Sequence, residues 1–425
     1  MLTRDERGAR LGGAPLQELL QSGGVETPAY VYDLDAIEAE ARELAAGFDG
    51  APHLVAYAVK ASSAGPIVRA LAAVGCGADV VSGGELAVAL GCGVDASRVL
   101  FSGVAKQAGE IDRAIGAGIL ALQMESVEEI ARIDARAAAM GRRARVSLRI
   151  NPGIEADTHR HVATGHDEAK FGIARGDLEA AWAALARARH LDLVGIGGHV
   201  GSQLTQTDDY LAAAEVLLGI AAARHRAAPL SFVDFGGGFG IDYGGAAPRP
   251  LARPADFARA AVRLVAGSEL AGLRIVVEPG RSLVAGHGVL CAGVIGSKRG
   301  HAADEERRWL MIDAGMNDLI RPALYAAWHR VEPLEGPVSP EAPLWRVVGP
   351  VCESSDDFGA HPFASPPERV VIRDAGAYGF TMASEYNGRA LPAEVFVRAG
   401  KVVSVNVPRR VDAWVAERVG IGARG

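Results

Sequence analysis

Eight short apolar runs, each followed by a segment long enough for a helix, occupy residues 53–280 of this 425-residue chain. Parallel strands need such long crossovers, and eight of them close most simply into a (β/α)8 barrel. The sequence therefore predicts an α/β protein with a TIM-type barrel over residues 33–285, and a doubly wound open sheet is the alternative. The predicted strands span 54–59, 78–82, 98–102, 119–124, 145–150, 194–200, 231–235 and 274–278.

The segments between these runs carry apolar residues at helical spacing. We predict helices at 64–74, 84–90, 127–140, 177–189, 208–225 and 254–266.

Beyond residue 286 the pattern changes to strand-like runs separated by Gly, Pro and Asp. These runs predict a C-terminal all-β domain that includes residues 1–32, because residues 28–32 are also strand-like and are expected to pair with it. Short helices are predicted near 317–328 and 410–418, and Pro-rich loops at 335–343 and 361–368. The runs themselves cover 289–297, 309–313, 345–351, 369–374 and 395–407.

Composition excludes several classes of partner. The formal net charge is −7, with 44 Lys and Arg against 51 Asp and Glu, and no dense basic run is present. Nucleic acid and anionic membranes are therefore poor partners, and no apolar run is long enough to span a bilayer. The N-terminal residues lack the apolar core of a signal peptide. The four cysteines lack metal-ligand spacing, so we predict no metal site and free thiols in the cytoplasm.

The strand ends carry side chains that are poorly suited to packing, as a barrel with its active site at the carboxyl ends requires. Lys60 ends the first apolar run, and desolvation there would make it an amine nucleophile or Schiff-base former. The alternative is a lysine that reaches out to solvent. The residues at the strand ends are Lys60, Ser82, Ser102, Glu125, Asn151, His199, Gly236-Gly237-Gly238 and Glu278.

The loops after the seventh and eighth strands commonly form a phosphate site in such barrels. Gly236, Gly237 and Gly238 would let backbone N–H groups converge on an anion, although a tight turn is the alternative. Glu278 and Arg281 close the eighth strand, with a rim salt bridge as their alternative role.

His199 lies between glycines at the end of the sixth strand, which leaves its ring open for stacking on a planar cofactor. Ser202 could donate to a phosphate or cap the next helix. One cofactor uses a lysine, a phosphate cradle, a stacking ring and an acid together: pyridoxal 5'-phosphate, whose ring nitrogen an acidic partner keeps protonated.

Further short motifs accompany these residues from about residue 27 to 407. With them the chain resembles the diaminopimelate decarboxylases, of the alanine-racemase-like (fold-type III) class of pyridoxal-phosphate-dependent decarboxylases. The matching stretches are 57–61, 79–85, 149–153, 164–165, 170–173, 198–203, 236–238, 278–281, 313–317, 321–325, 352–354 and 374–378.

The resemblance implies decarboxylation of meso-2,6-diaminopimelate to L-lysine, the last step of lysine biosynthesis. It implies that Lys60 carries the cofactor, His199 stacks on its ring and Glu278 faces its pyridine nitrogen. Gly236 to Gly238 would bind the phosphate, and we also expect Ser82, Ser202, Gly280 and Arg281 to contact the cofactor.

The resemblance also implies a substrate site. Arg281, Arg321 and Tyr325 would hold the distal carboxylate, Glu353 the distal ammonium, and Tyr378 both cofactor and substrate. Cys352 would be the proton donor, and it would come with Glu353 from the neighbouring subunit of a homodimer.

Two stretches depart from the family pattern. Residues 354–359 differ from the expected Ser-Gly-Asp sequence, which puts substrate breadth in doubt, and His159-Arg160-His161 replaces a His-Pro-aromatic run. A decarboxylase of another diamino acid, of the D-lysine or D-ornithine type, or of a carrier-tethered glutamate is the alternative function. A racemase would place an arginine at the pyridine nitrogen, and a non-enzymatic relative would be expected to lose Lys60 or the Cys352–Glu353 pair.

Overall fold

A computed structural model describes residues 2–154, 170–244, 251–302, 305–407 and 411–420. The motifs at 159–161 and 164–165 lie outside the described residues. The chain divides into two compact units. The barrel unit contains Glu38–Ile241 and Pro248–Leu283, and the β unit contains Met1–Ile37, Asp242–Ala247 and Val284–Gly425.

Eight parallel strands of the described chain close into a barrel in chain order, which confirms the predicted TIM-type fold and excludes the open sheet. The barrel closes where the eighth strand pairs with the first, with Val276 opposite Leu54. Barrel strands 1 to 8 are His53–Ala58, Gly77–Val80, Val99–Phe101, Ala121–Met124, Ala144–Arg149, Leu191–Gly197, Phe232–Gly237 and Arg274–Glu278.

The barrel interior is filled by aliphatic side chains and by the ring of Phe232. Gly195 on the neighbouring strand makes room for that ring, since a Cβ at this position would lie 2.3 Å from it. The α-helices that accompany the strands are Leu34–Ala46, Gly65–Ala73, Gly83–Gly91, Ala108–Ala117, Val127–Ala139, Leu178–Arg187, Asp208–Ala227, Pro254–Ala266 and Arg281–Val284. Short 3-10 turns occur at Val59–Ala61, Ala96–Arg98, Arg175–Asp177 and Ala285–His287.

The helix Ala108–Ala117 was not among the predicted helices. It begins with a capping box formed by Gln107 and Glu110 and ends at Gly118, whose φ is +67°. Both features are local start and stop signals for a helix, but two glycines within the helix weaken the periodic pattern.

The β unit contains a nine-stranded sheet and a small three-stranded sheet among its described residues. Ala29–Asp33 pairs with Gly288–Ala302 and with Ala393–Arg398, which confirms the predicted pairing of residues 28–32. The other strands of the large sheet are Glu305–Ile312, Val331–Pro333, Leu344–Val348, Asp357–Pro362, Arg369–Ile372 and Lys401–Asn406, and the small sheet contains Thr3–Asp5, Gly8–Leu11 and Ala14–Pro15. Its helices are Leu16–Gly23, Arg321–Tyr325 and Val411–Arg418, with 3-10 turns at Phe380–Met382 and Tyr386–Gly388.

Two predictions for this unit were wrong. The run 395–407 is a hairpin, because Ala399 and Gly400 both have positive φ and form a two-residue turn. The predicted loop at 361–368 overlaps the strand Asp357–Pro362, whose Pro362 stands at its last position, where a missing N–H is tolerated.

A buried ion pair joins the loop after barrel strand 3 to the helix after barrel strand 4. Lys106 and Glu129 have side chains that are 1% and 5% exposed, and the ammonium also donates to the carbonyl oxygens of Gly103 and Gln123 at 2.7 and 2.6 Å. Burial lowers the pKa of Lys106, and the carboxylates of Glu129 and Glu125 oppose this effect. Removal of either side chain would therefore leave the other charge buried without its ionic partner.

We predict that Lys106→Met lowers the free energy of unfolding by about 3–5 kcal/mol, because it leaves the Glu129 carboxylate buried without its cation. Urea denaturation followed by circular dichroism measures this loss. Arg143→Ala is the control: it removes an exposed ion pair with Asp192 and should cost below about 1 kcal/mol. Equal losses in the two variants would contradict the prediction.

Candidate active site

Lys60 lies just beyond the carboxyl end of barrel strand 1, in the turn Val59–Ala61. Its Nζ is 3.4 Å from Oδ2 of Asp79, whose other oxygen accepts a hydrogen bond from Ser102 at 2.6 Å. The Lys60 side chain is 41% exposed. The carboxylate of buried Asp79 therefore holds the amine at the rim of the barrel, and the desolvation of Lys60 stays a prediction.

The three consecutive glycines form a turn against His199. Gly236 and Gly238 have φ of +68° and +90°, and the Gly237 N–H donates to Nδ1 of His199 at 3.2 Å. Because Nδ1 accepts, the neutral ring carries its proton on Nε2. Burial, followed by the charges of Arg149 and Lys60, lowers the pKa of His199 well below its usual range.

Glu278 ends barrel strand 8 and is buried beside Asp234 of strand 7. Nε2 of Gln123 donates to both carboxyl groups, at 2.9 Å to Glu278 and 2.7 Å to Asp234. Burial and then the charge of Asp234 raise the pKa of Glu278 well above its usual range. Burial raises the pKa of Asp234 to about 6. Burial and the neighbouring carboxylate therefore both favour the protonated form of Glu278.

The turn after Glu278 is fitted closely to barrel strand 1. The Ala58 N–H donates to the carbonyl oxygen of Pro279 at 2.9 Å, and a Cβ at Gly280 would lie 3.1 Å from those of Ala58 and Ala61. The Lys60 turn and the Glu278 turn are therefore held in register with each other.

Arg281 and the two predicted serines have distinct contacts. Arg281 Nη2 donates to Oγ of Ser202 at 2.9 Å. The alternative that Ser202 caps the next helix is wrong, since that helix begins at Asp208 after Thr207. Ser82 caps the helix Gly83–Gly91 by accepting from the Glu85 N–H.

The other predicted residues belong to the β unit. Arg321 is buried, its Nη1 lies 2.6 Å from Nε2 of His329, and its guanidinium stacks 4.5 Å from the ring centroid of Tyr243. Nδ1 of His329 faces the Arg373 carbonyl oxygen at 2.9 Å, so Nδ1 is the donor and Nε2 the acceptor. This arrangement fixes the direction of the guanidinium, and Tyr325 ends the same short helix, partly exposed.

Cys352 and Glu353 are exposed on a turn that Asp356 holds together. The Asp356 carboxylate accepts from the N–H groups of Val351 and Met316, both at 2.6 Å. The Glu353 carboxylate accepts from the hydroxyl of Tyr386 at 2.6 Å. The turn is rigid although its two predicted functional side chains face solvent.

Tyr378 lies in the turn after the strand Arg369–Ile372, with a φ of +55°. A tyrosine in the left-handed region is strained, and such strain often accompanies functional sites.

The predicted residues therefore fall into one group in each unit. The barrel group contains Lys60, Ser82, His199, Ser202, Gly236 to Gly238, Glu278, Gly280 and Arg281, and the β group contains Arg321, Tyr325, Cys352, Glu353 and Tyr378. Within the described residues no group of three or more His, Cys, Asp or Glu is placed to hold a metal ion. No described helix is long and apolar enough to cross a membrane.

Residues 34–285 match the family described as "Pyridoxal-dependent decarboxylase, pyridoxal binding domain". The chain is 41% identical over 388 residues to the diaminopimelate decarboxylase of Pseudomonas aeruginosa, covering 91% of this chain and 90% of that one. The chain belongs to the diaminopimelate decarboxylase family. The enzyme from Zymomonas mobilis is 39% identical over 94% of this chain and 93% of its own length.

Two solved structures of this family are similar throughout the chain. Diaminopimelate decarboxylase from Helicobacter pylori, complexed with L-lysine, aligns with a TM-score of 0.85 and 35% identity over 95% of this chain and all of that chain. The enzyme from M. jannaschii, also in complex with L-lysine, aligns with a TM-score of 0.88 and 31% identity over 98% of this chain and 97% of that one. The chain is accordingly a carboxy-lyase that uses pyridoxal phosphate to convert meso-diaminopimelate to lysine, which confirms the resemblance.

The barrel residues fit this cofactor. A Cβ at Gly236 would lie 2.9 Å from Nδ1 of His199, and one at Gly238 would lie 2.1 Å from the Gly201 carbonyl oxygen, so only glycine keeps this cradle. Three side chains accompany the glycine turn. The amine of Lys60 can bind an aldehyde, the imidazole of His199 can stack on an aromatic ring, and the acid Glu278 can pair with a pyridine nitrogen.

The sequence-based reasoning missed Asp79, Gln123 and Asp234. Each is a buried polar residue within an apolar barrel strand. That position is itself a signal, since polar side chains inside a barrel need partners.

We predict that Gly238→Ala weakens cofactor affinity at least about tenfold, since the methyl group adds both strain at positive φ and a clash with the backbone. Absorbance titration of cofactor-free protein with pyridoxal phosphate measures this change. Gly219→Ala is the matched control, because its Cβ meets nothing within 4 Å in the helix Asp208–Ala227. Wild-type affinity in Gly238→Ala would refute the cradle.

Proposed function

We propose that the barrel group holds pyridoxal phosphate and that the β group holds the distal end of meso-2,6-diaminopimelate while its D-configured carbon loses CO2. The observation that carries this proposal is the placement of an amine, an imidazole, a glycine turn and a buried acid at the carboxyl ends of barrel strands. When bound, the cofactor supplies an electron-accepting ring that stabilises the charge left at the α carbon.

Lys60 is the residue that binds the cofactor's aldehyde, and Asp79 orients its amine. The turn of Gly236 to Gly238 lies against the phosphate, with Ser202, Gly280 and Arg281 beside it. Within this turn the Gly236 and Gly237 N–H groups donate to Asp234 and His199, so they hold the turn in shape. The neutral ring of His199 covers one face of the cofactor, and Glu278 faces the pyridine nitrogen. Ser82 contributes chiefly by capping its helix, since its oxygen already accepts the Glu85 N–H.

Arg281 and Arg321, together with Tyr325, hold the distal carboxylate, because a planar guanidinium can bind a carboxylate through two hydrogen bonds. Glu353 accepts the distal ammonium, and Tyr378 contacts both cofactor and substrate. Binding energy from this distal end fixes which bond at the α carbon breaks, so it contributes to rate as well as affinity.

Cys352 gives the proton that replaces CO2 at the α carbon. We propose that Cys352 and Glu353 reach the site of a neighbouring subunit, so that the working form is a homodimer. The exposure of both side chains on a turn fixed by Asp356 supports this assignment. The cytoplasm is the proposed location, which the four free thiols support, since reducing compartments preserve them.

We predict that the purified protein with pyridoxal phosphate shows the visible absorption of a lysine-bound cofactor and forms lysine from meso-diaminopimelate. Lys60→Ala should lose both, because no other described amine lies beside Asp79 at this rim. Turnover of D-lysine or D-ornithine in preference to meso-diaminopimelate would favour the related decarboxylases instead. A wild-type protein without visible absorption would end the cofactor assignment.

We predict that Arg321→Ala raises KM for meso-diaminopimelate at least about tenfold while the cofactor absorption stays unchanged, because a charge-assisted contact to the substrate is lost. Steady-state kinetics and absorbance measure the two properties separately. Arg346→Ala is the control, since this arginine pairs with Asp357 on the exposed side of the same unit. An unchanged KM in Arg321→Ala would remove this residue from the substrate site.

A further inference from the structure

A buried amide and a second carboxyl group lie beside Glu278, the acid proposed to face the pyridine nitrogen. Gln123, Asp234 and Glu278 come from barrel strands 4, 7 and 8, and are 2%, 1% and 9% exposed. Neither Gln123 nor Asp234 has a role in the function proposed above. Their contacts nevertheless determine where Glu278 lies and whether it carries a proton.

The hydrogen-bond geometry fixes the orientation of Gln123. Its Nε2 donates to Oδ2 of Asp234 at 2.7 Å and to Oε1 of Glu278 at 2.9 Å. The reversed amide would place an oxygen against two carboxyl oxygens, which is repulsive. The backbone oxygen of Gln123 accepts a hydrogen bond from the buried Lys106 ammonium at 2.6 Å, which holds the backbone that carries this side chain.

One amide nitrogen of Gln123 lies within hydrogen-bond distance of both carboxyl groups, so the two acids are buried neighbours. Two buried carboxylates side by side cannot both ionise readily, so the pair retains one proton. Asp234 is the better anion, because Oδ1 accepts the Gly236 N–H at 2.9 Å and Oδ2 accepts the Gln123 amide. The proton therefore belongs to Glu278.

The other charges that face Glu278 are Asp79 of strand 2, Lys60 beyond strand 1 and Arg149 at the end of strand 5. Asp79 favours the neutral acid, whereas Lys60 and Arg149 favour the carboxylate. With Asp234 and burial included, the pKa of Glu278 stands well above its usual range in the protein without cofactor.

We propose that Gln123 and Asp234 are positioning residues that keep a proton on Glu278 for delivery to the ring nitrogen of pyridoxal phosphate. The inference rests on the proposed placement of Glu278 at that nitrogen. With the cofactor bound, the O–H bond of Glu278 would break as an N–H bond forms with the nitrogen lone pair, so that the acid becomes a carboxylate and the ring nitrogen becomes protonated. Gln123 then donates to two carboxylates, and the negative charge of Asp234 helps to keep the ring nitrogen protonated.

Infrared spectroscopy of the cofactor-free protein at pH 7 tests the stored proton. Burial raises the pKa of Asp318 to about 7, so the band of Glu278 is taken from the difference between the wild type and Glu278→Gln. This difference band of a carboxylic-acid C=O should be present in the cofactor-free protein and lost when pyridoxal phosphate is added. In cofactor-free Asp234→Asn this band should disappear at a lower pH than in the wild type. A wild type without the band, a band that persists after loading, or an unchanged titration in Asp234→Asn would overturn the proposal.

Nitrogen-15 NMR of protein loaded with 15N-labelled pyridoxal phosphate tests the role of Asp234 directly. In the wild type the ring nitrogen should stay protonated to a higher pH than in Asp234→Asn, with a difference on the order of one pH unit or more. Asparagine keeps the shape and can still accept the Gly236 N–H. Asp192→Asn removes an exposed carboxylate near the start of strand 6 and should leave the titration unchanged.

The outcomes separate this inference from the proposed function. A wild-type protein that forms no lysine-bound cofactor would refute the proposed function, whereas the infrared band of the cofactor-free protein would still report the proton on Glu278. A normally loaded Asp234→Asn whose ring nitrogen titrates as in the wild type would refute the inference alone. If Asp234→Asn does not bind pyridoxal phosphate, the infrared titration of the cofactor-free variant tests the inference instead.

Discussion

The contact between the carboxyl groups of Asp234 and Glu278 is the constraint on which the rest of the site depends. Two buried acids tolerate each other only with a shared proton or a common donor, and Gln123 supplies that donor from a third strand. Glu278 in turn ends the strand that pairs with the one leading to Lys60, and the hydrogen bond from the Ala58 N–H to the Pro279 oxygen fixes their spacing. The closure of the barrel therefore sets the distance between the amine and the acid.

Much of this architecture could be predicted from the sequence, because apolar residues are continuous in buried strands but recur at helical spacing in the helices that connect them. All eight barrel strands and the residues at their carboxyl ends follow from that pattern. The partners of those residues do not, since Gln123 and Asp234 meet only through the register of strands that are distant along the chain. The hairpin at Ala399-Gly400 and the contact of Lys60 with Asp79 likewise depend on backbone conformation, which apolar periodicity does not encode.

In the β unit the predicted functional side chains are held in two different ways. Arg321 is buried and oriented by a neutral histidine and an aromatic ring, whereas Cys352 and Glu353 are exposed on a turn whose backbone is fixed by Asp356. In this turn, where the sequence departs from the expected Ser-Gly-Asp pattern, Asp356 accepts the backbone N–H groups of Val351 and Met316.

The strand Ala29–Asp33 has a consequence for biosynthesis. It emerges early from the ribosome, but its neighbours in the sheet, Gly288–Ala302 and Ala393–Arg398, emerge late. The barrel can close during translation. Both edges of the strand Ala29–Asp33, however, stay unpaired until the last part of the chain has been synthesised. Open strand edges promote aggregation, so we expect the nascent chain to be prone to aggregation in the interval before the sheet is completed.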